Sequence, residues 1–336
     1  MRTSGLLVWF LLLAVHARAQ ALVTPTSDVP AVPMSGAAVP ADVPSAPVFR
    51  AAVDLVALNV VVTDTRQRLV SGLTAGDFAV YEDGVQQEVS FFAASAVPLD
   101  LALLLDTSAS MHDKMQTMQE AALGFLGTLR PGDRAAIVDI KDTVRVAYAL
   151  GDDREAANQA VRTTVARGGT SLYNGLYLAL KEMVKQRRAN GEVRRQAIAV
   201  LSDGEDTSSL VGYEDVMQLA KQSGITIYTI TLKSPLAVKQ ASVSGRRYFS
   251  QSEFAMKALA QETGARSFFP SAVRDLAGVY GVIAEELANQ YAIGYSSKNA
   301  RRDGVFRRVI VQIAERPGAR ARTRSGYMAT RITANH

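Results

Sequence analysis

Three short stretches of this chain carry oxygen-bearing side chains at spacings that suit chemistry. Asp106-Thr107-Ser108-Ala109-Ser110 places one carboxylate and several hydroxyls on one short segment. Gly168-Gly169-Thr170 offers a hydroxyl from a turn whose missing side chains allow close approach. Ser202-Asp203-Gly204-Glu205-Asp206 adds further carboxylates. These are hard oxygen donors, suited to Mg²⁺ or a similar cation and poor for zinc or copper. Singly, each has an ordinary alternative, because Asp and Ser are common helix N-caps in βα loops.

Competing chemistries lack their parts. Of 3 histidines, His16 lies in the apolar leader and His336 ends the sequence, so His112 alone would have to serve a Ser-His-Asp triad or a histidine-rich zinc site. There are 0 cysteines, which excludes disulfides, a lipid-anchored cysteine and thiolate metal sites. Ser108 stands where phosphatases using Asp-x-Asp need their second aspartate, and no Gly-x-Ser-x-Gly elbow is present. Asp203, Glu205 and Asp206 would have to activate any water, but Glu205 and Asp206 read better as N-terminal charges for the following helix.

The elements around these stretches give them a place. Leu101 to Leu105 is an unbroken apolar run, as expected of a strand buried on both faces of a parallel sheet, and Asp106 must mark its end because an unpaired buried carboxylate is costly. Ile198 to Leu201 repeats the pattern before Ser202-Asp203-Gly204. Strands and helices alternate over 97–289, with helices expected from Met115 to Leu129, Glu155 to Val165 and Leu172 to Val184, over 213–222, and from Phe254 to Thr263 and Val273 to Ala288. Thr170-Ser171 is expected to cap the third of these. This alternation predicts an α/β fold with a doubly wound, mostly parallel, Rossmann-like sheet, in which ligands bind at the carboxyl ends of strands and the first and fourth strands can meet at the switch point.

Asp-x-Ser-x-Ser after a buried strand, Gly-Gly-Thr about 60 residues on and Ser-Asp-Gly about 33 beyond that together resemble the von Willebrand factor type A domain, over roughly 97–289. The resemblance implies a metal-ion-dependent adhesion site. Ser108 and Ser110 would bind the cation directly, with Thr170 joining at least in the ligand-engaged state. Asp106 and Asp203 would act through waters or hydrogen bonds to the serines. The implied ion is Mg²⁺, or Mn²⁺ or Ca²⁺, and the implied partner is a protein offering an Asp or Glu carboxylate. The family's fold and site imply a binding module rather than an enzyme. A metal-dependent hydrolase, and an envelope structural protein in which the metal only stiffens loops, are the alternatives.

The remaining chain reads as flanks. Residues 1–19, with Arg2, an apolar run from Leu6 to Val15 and Ala17-Arg18-Ala19, are a cleaved secretory signal, too short to span a bilayer. The mature protein is expected to be secreted or periplasmic, with no integral membrane segment. Residues 20–49 are a Pro- and Ala-rich leader. The stretches 50–96 and 290–331 are β-rich and individually too small for a core, so they are expected to join in one small β-sandwich. Here a strand from Val53 to Thr63, one from Phe78 to Tyr81, an Asp83-Gly84 turn and a returning strand from Glu88 to Ala93 are expected. They would be matched by Gln290 to Ser296, Phe306 to Ala314 and one short strand from Arg320 to Met328. Net charge is +5, and loss of Arg2 and Arg18 with the signal leaves +3. The late arginines, Arg301, Arg302, Arg307, Arg308, Arg316, Arg320, Arg322 and Arg324, are expected to guard exposed strand edges rather than bind nucleic acid. The polar stretch 233–252 is expected to be a mobile loop.

Overall fold

A computed structural model describes residues 55–94, 97–190, 194–202, 205–232, 250–314 and 316–331. The signal (1–19), the leader (20–49), most of the polar loop (233–249) and Asp203 lie outside the described residues.

The α/β part runs β5 (Leu99–Asp106), α1 (Met115–Gly127), β6 (Arg134–Ile140), β7 (Val144–Gly151), α2 (Arg154–Arg162), α3 (Leu172–Asn190), β8 (Arg195–Ser202), α4 (Tyr213–Ser223), β9 (Thr226–Thr231), α5 (Gln251–Glu262), β10 (Ser267–Phe268) and α6 (Leu276–Ala288). Its sheet has the order β10-β9-β8-β5-β6-β7, parallel except for β7, which returns against β6. All of β5 is buried. Leu101, Leu103 and Leu105 face a core shared with Phe125 of α1 and Tyr280 of α6, whose rings stack at 4.7 Å. Ala102 and Leu104 face the other way, toward Leu176 of α3 and Val216 of α4. Cover on both faces is why the run from Leu101 to Leu105 is apolar throughout, and why Asp100 before it is paired with Arg134 and Arg194. As expected from the switch-point argument, β5 lies beside β8, with Leu105 opposite Leu201.

The flanks supply β1 (Leu55–Thr63), β2 (Phe78–Glu82), β3 (Val85–Gln87) and β4 (Val89–Ala94) from one side, and β11 (Tyr291–Ser296), β12 (Phe306–Ile313), β13 (Arg320–Arg322) and β14 (Gly326–Met328) from the other. They form two antiparallel sheets of mixed parentage, β13-β1-β11-β4 and β14-β12-β2-β3. Leu58, Val60, Phe78, Val80, Ile293 and Val309 share the core between them. Asp83 and Gly84 both have positive φ, as the tight turn between β2 and β3 requires.

Two expectations are corrected here. The single returning strand is two: β3 pairs with β2, and after Glu88 the chain crosses to pair β4 with β11 in the other sheet. The single short strand near the end also divides, β13 pairing with β1 and β14 with β12. Each short segment is a corner that closes the sandwich rather than one continuous edge.

The arginine expectation is corrected as well. Arg307 is buried and ion-pairs with the equally buried Glu82 at 3.3 Å. Arg322 reaches Glu286 of α6 at 2.6 Å and the Gly264 carbonyl at 2.9 Å. Arg324 donates to the Ala57 carbonyl at 2.9 Å. These three join elements internally, while Arg301, Arg302, Arg308, Arg316 and Arg320 are exposed.

Glu82 is the centre of the sandwich's polar network. Besides Arg307, it accepts hydrogen bonds from the Tyr295 and Tyr327 phenols, each at 2.9 Å, and from the Ser297 hydroxyl. Burial and then the Glu82 carboxylate raise the Tyr295 phenol far above its usual range, so it stays a donor at all ordinary pH values. Removing one partner of a buried pair strands the other charge in low dielectric. Glu82→Ala is therefore expected to lower unfolding free energy by about 3–5 kcal/mol. Urea denaturation would show this as an earlier midpoint, whereas exposed Arg320→Ala should leave the midpoint within error.

Candidate metal centre

Asp106 ends β5 with its side chain completely buried. One carboxylate oxygen accepts the Ser108 amide at 2.9 Å, which folds the loop back over the strand end. The other accepts the Ser202 hydroxyl at 2.6 Å, possible only because β8 is the adjacent strand. Thr107 anchors the loop from beneath: its amide donates to the Ile140 carbonyl at 2.7 Å and its hydroxyl to Asp139. Asp139 is itself buried and held by Lys141 at 2.8 Å and Arg145 at 3.4 Å.

The second loop is stitched to the first by backbone. The Ala109 amide donates to the Gly168 carbonyl at 3.0 Å, and the Arg167 amide to the Thr107 carbonyl at 2.9 Å. Gly168 needs its lack of a side chain twice over: its φ is +70°, and a Cβ there would lie 2.8 Å from the Asp142 carboxyl carbon. At Gly169 a Cβ would stand 2.6 Å from the Ser208 hydroxyl and 2.9 Å from that of Thr207. The two glycines therefore let three loops close on one another.

The third loop is tied to the second in turn. The Thr207 and Ser208 amides both donate to the Thr170 carbonyl, at 2.9 and 3.0 Å, and the Thr170 amide donates to the Thr207 hydroxyl at 2.9 Å. Asp206 accepts the Leu172 amide at 2.7 Å and the Ser209 hydroxyl at 2.6 Å. Asp206 thus caps α3, which corrects two expectations. It does not serve the following helix, whose first-turn acids are Glu214 and Asp215. Nor do the residues before α3 cap it, since the Ser171 hydroxyl donates to the Asp142 carbonyl at 2.9 Å instead.

Of the sequence-expected site residues, the structure brings the loops bearing Asp106, Ser108, Ser110 and Thr170 together. Asp203 lies outside the described residues, directly after Ser202 in the chain. The Ser108 and Ser110 hydroxyl oxygens are 2.9 Å apart. Two neighbouring ligands of an octahedral Mg²⁺, with bonds of 2.0–2.1 Å, would be separated by roughly that distance. The Thr170 side chain is almost wholly buried, and its hydroxyl makes no hydrogen bond among the described residues. Also among the described residues, no cluster of three or more His, Asp or Glu side chains is placed to hold a metal. The oxygen donors present fit a small hard ion.

The sequence reading missed Thr107, Asp139 and Thr207, and it named Ser202 and Asp206 without the contacts they make here. Asp139 had a signal, as a carboxylate inside the otherwise apolar strand from Ala135 to Ile140. The others are polar residues in polar loops, distinguishable only once the loops meet.

The family model of the von Willebrand factor type A domain matches residues 100–275, just over half of the chain. The chain belongs to this family. Among curated relatives, calcium-activated chloride channel regulator 1 of Equus caballus is 32% identical over 152 residues, covering 43% of this chain and 16% of that protein. A UPF0353 protein of Mycobacterium leprae is 25% identical over 219 residues, covering 61% of this chain and 65% of that protein. The chain thus spans less than two thirds of either relative. Among solved structures, a von Willebrand factor type A protein from Catenulispora acidiphila aligns with a TM-score of 0.47 at 14% identity, over 84% of this chain and 76% of that one. Proximal thread matrix protein 1 from the mussel byssus, solved with zinc in its MIDAS motif, aligns at 0.45 and 14%, over 61% and 49%.

The cap on α3 crosses from the third loop to the second, so its loss should be felt in both. Asp206→Ala is expected to destabilise the protein by about 1–2 kcal/mol, as for other lost N-caps. Hydrogen exchange should speed up at the Leu172 to Asn174 amides while β5 amides stay protected. Unchanged exchange at Leu172 would show that the cap does not hold the loops.

Proposed function

We propose that this chain is an exported, divalent-cation-dependent protein-binding module that captures an acidic side chain of a partner at a metal held by three loops. In this reading Ser108, Ser110 and Thr170 hold the ion through their hydroxyls. Asp106 and Asp203 support them through hydrogen bonds or bound waters. The observation that carries the reading is the approach of the Ser108 and Ser110 hydroxyls to 2.9 Å, on a loop tied by backbone to the loop of Thr170.

When bound, a divalent ion supplies an electrophilic centre with a coordination position left for an outside ligand. The protein side of the work is positioning. Asp106 fixes the backbone that aims Ser108, Thr107 and Asp139 brace that backbone, and Thr207 sets the plane of the Thr170 peptide. Neutral hydroxyl donors leave the ion most of its charge, so a carboxylate is the ligand it favours. We read the ion as Mg²⁺, with Mn²⁺ or Ca²⁺ as substitutes, the partner as a protein, and the module as non-catalytic. Among the described residues no helix is long and apolar enough to cross a membrane, and residues 1–19 have the pattern of a secretory signal.

Isothermal titration with Mg²⁺ tests the site. Ser108→Ala, Thr170→Ala and Asp203→Ala should each weaken binding by at least about tenfold, equivalent to about 1.4 kcal/mol, with little change in thermal midpoint. Unchanged Mg²⁺ affinity in all three would refute the metal assignment. Mass spectrometry of the protein recovered outside the cytoplasm should show a chain beginning at Gln20.

A further inference from the structure

A cleft of about 630 Å³ opens beside the third loop of the metal centre. Three aromatic side chains wall it: Tyr173 from the first turn of α3, Tyr213 from the first residue of α4 and Phe254 from the first turn of α5. The two tyrosine rings lie 5.9 Å apart, and Phe254 is 68% exposed. Glu205 and Glu214 also line the cleft, both exposed and neither in a hydrogen bond or ion pair among the described residues. Thr207 belongs to both places: it lines the cleft, and its amide and hydroxyl hold Thr170.

Among the described residues, the cleft therefore combines open aromatic faces with negative charge that no cation balances. Burial, then Tyr173 and Glu214, push the Tyr213 phenol up to about 12. Burial, then Asp206 and Glu214, raise that of Tyr173. An anion would be repelled from such a place. A neutral apolar group would leave both carboxylates unmatched. A guanidinium satisfies both features, because its plane stacks on aromatic faces while its edge donates paired hydrogen bonds to carboxylates. An ammonium lacks the plane.

We propose that this cleft seats an arginine side chain of the same protein partner whose carboxylate meets the metal, an inference that rests on the metal-binding reading above. The partner would then be recognised by one acidic and one basic side chain on a shared surface.

The cleft can be tested without the ion. Arginine amide titrated into the isotope-labelled full chain in EDTA should give saturable amide shifts at Tyr213, Phe254 and Ala255. Glu205→Gln combined with Glu214→Gln, both at exposed positions, should weaken that binding by about tenfold, as expected for the loss of two exposed ion pairs. No saturable shift, or lysine amide binding equally well, would overturn the proposal. Failure of the metal reading would appear separately, in the Mg²⁺ titration, and would leave these shifts intact. In Mg²⁺, short synthetic peptides carrying one Asp and one Arg at varied separations should, at one separation, bind wild type more tightly than their Arg→Ala counterparts. The double variant should not distinguish them. Equal binding to wild type at every separation would overturn the claim of a shared partner.

Discussion

A carboxylate buried at the end of a strand that is itself buried on both faces is the constraint from which the upper end of this molecule follows. Asp106 has no water to solvate it, so its oxygens must be met by the protein. The Ser108 amide can meet one only if the chain turns immediately, and the Ser202 hydroxyl can meet the other only if β8 lies next to β5. The loop conformation and the strand order are thus two consequences of one solvation problem. The turn then needs its own support, which Thr107 draws from Asp139, and Asp139 draws from Lys141 and Arg145. Polar groups in this region form a chain in which each member is satisfied by the next.

The part of this arrangement that depends on periodicity was readable in the sequence. The apolar runs ending at Asp106 and Ser202, the helical spacing of Leu172, Leu176 and Leu180, and the undersized β flanks all reflect burial, which leaves a pattern in residue type. The cap on α3 left none. Asp206 is 34 positions from the amide it accepts, and a carboxylate after Ser-Asp-Gly looks the same whether it serves the helix ahead or the helix behind. The late arginines misled for a related reason. Arginine is abundant on surfaces, and only the placement of Glu82 and Glu286 opposite Arg307 and Arg322 distinguishes an internal tie from a solvated edge. The split of the flanking strands at Glu88 was hidden because both halves alternate alike and the crossing adds no residue with a special φ.

The two ends of the α/β sheet are built for different purposes. At the amino ends of the strands, Asp100 is clamped by Arg134 and Arg194, and Asn59 of β1 reaches Thr226 at the start of β9. There α6 passes directly into β11, a central strand of the sandwich, with Glu286 tied to both Arg322 and Arg266. Both chain connections to the sandwich leave from this end, since β4 leads into β5 and α6 leads out to β11. The carboxyl ends of the strands carry neither connection, and the described parts of the loops after β5, α2 and β8 are joined to one another.

That division bears on why, among the described residues, the Ser108 and Ser110 hydroxyls rather than carboxylates meet at the top. A carboxylate displayed beside Ser108, Ser110 and Thr170 would neutralise a bound cation and remove its attraction for an outside acid. The carboxylates that are present in the described part of the site have instead been turned inward: Asp106 toward a backbone amide and a serine, Asp139 toward a threonine and two cations, Asp206 toward a helix terminus. Each contributes to holding a loop while its charge is absorbed locally, within hydrogen-bond distance, where screening by salt is weakest. The negative charge that remains unabsorbed, on Glu205 and Glu214, stands in the adjacent cleft. In the proposed reading the two signs are separated, an acid over the hydroxyls and a base over the aromatic cleft, and a ligand reversed end for end would meet repulsion at both.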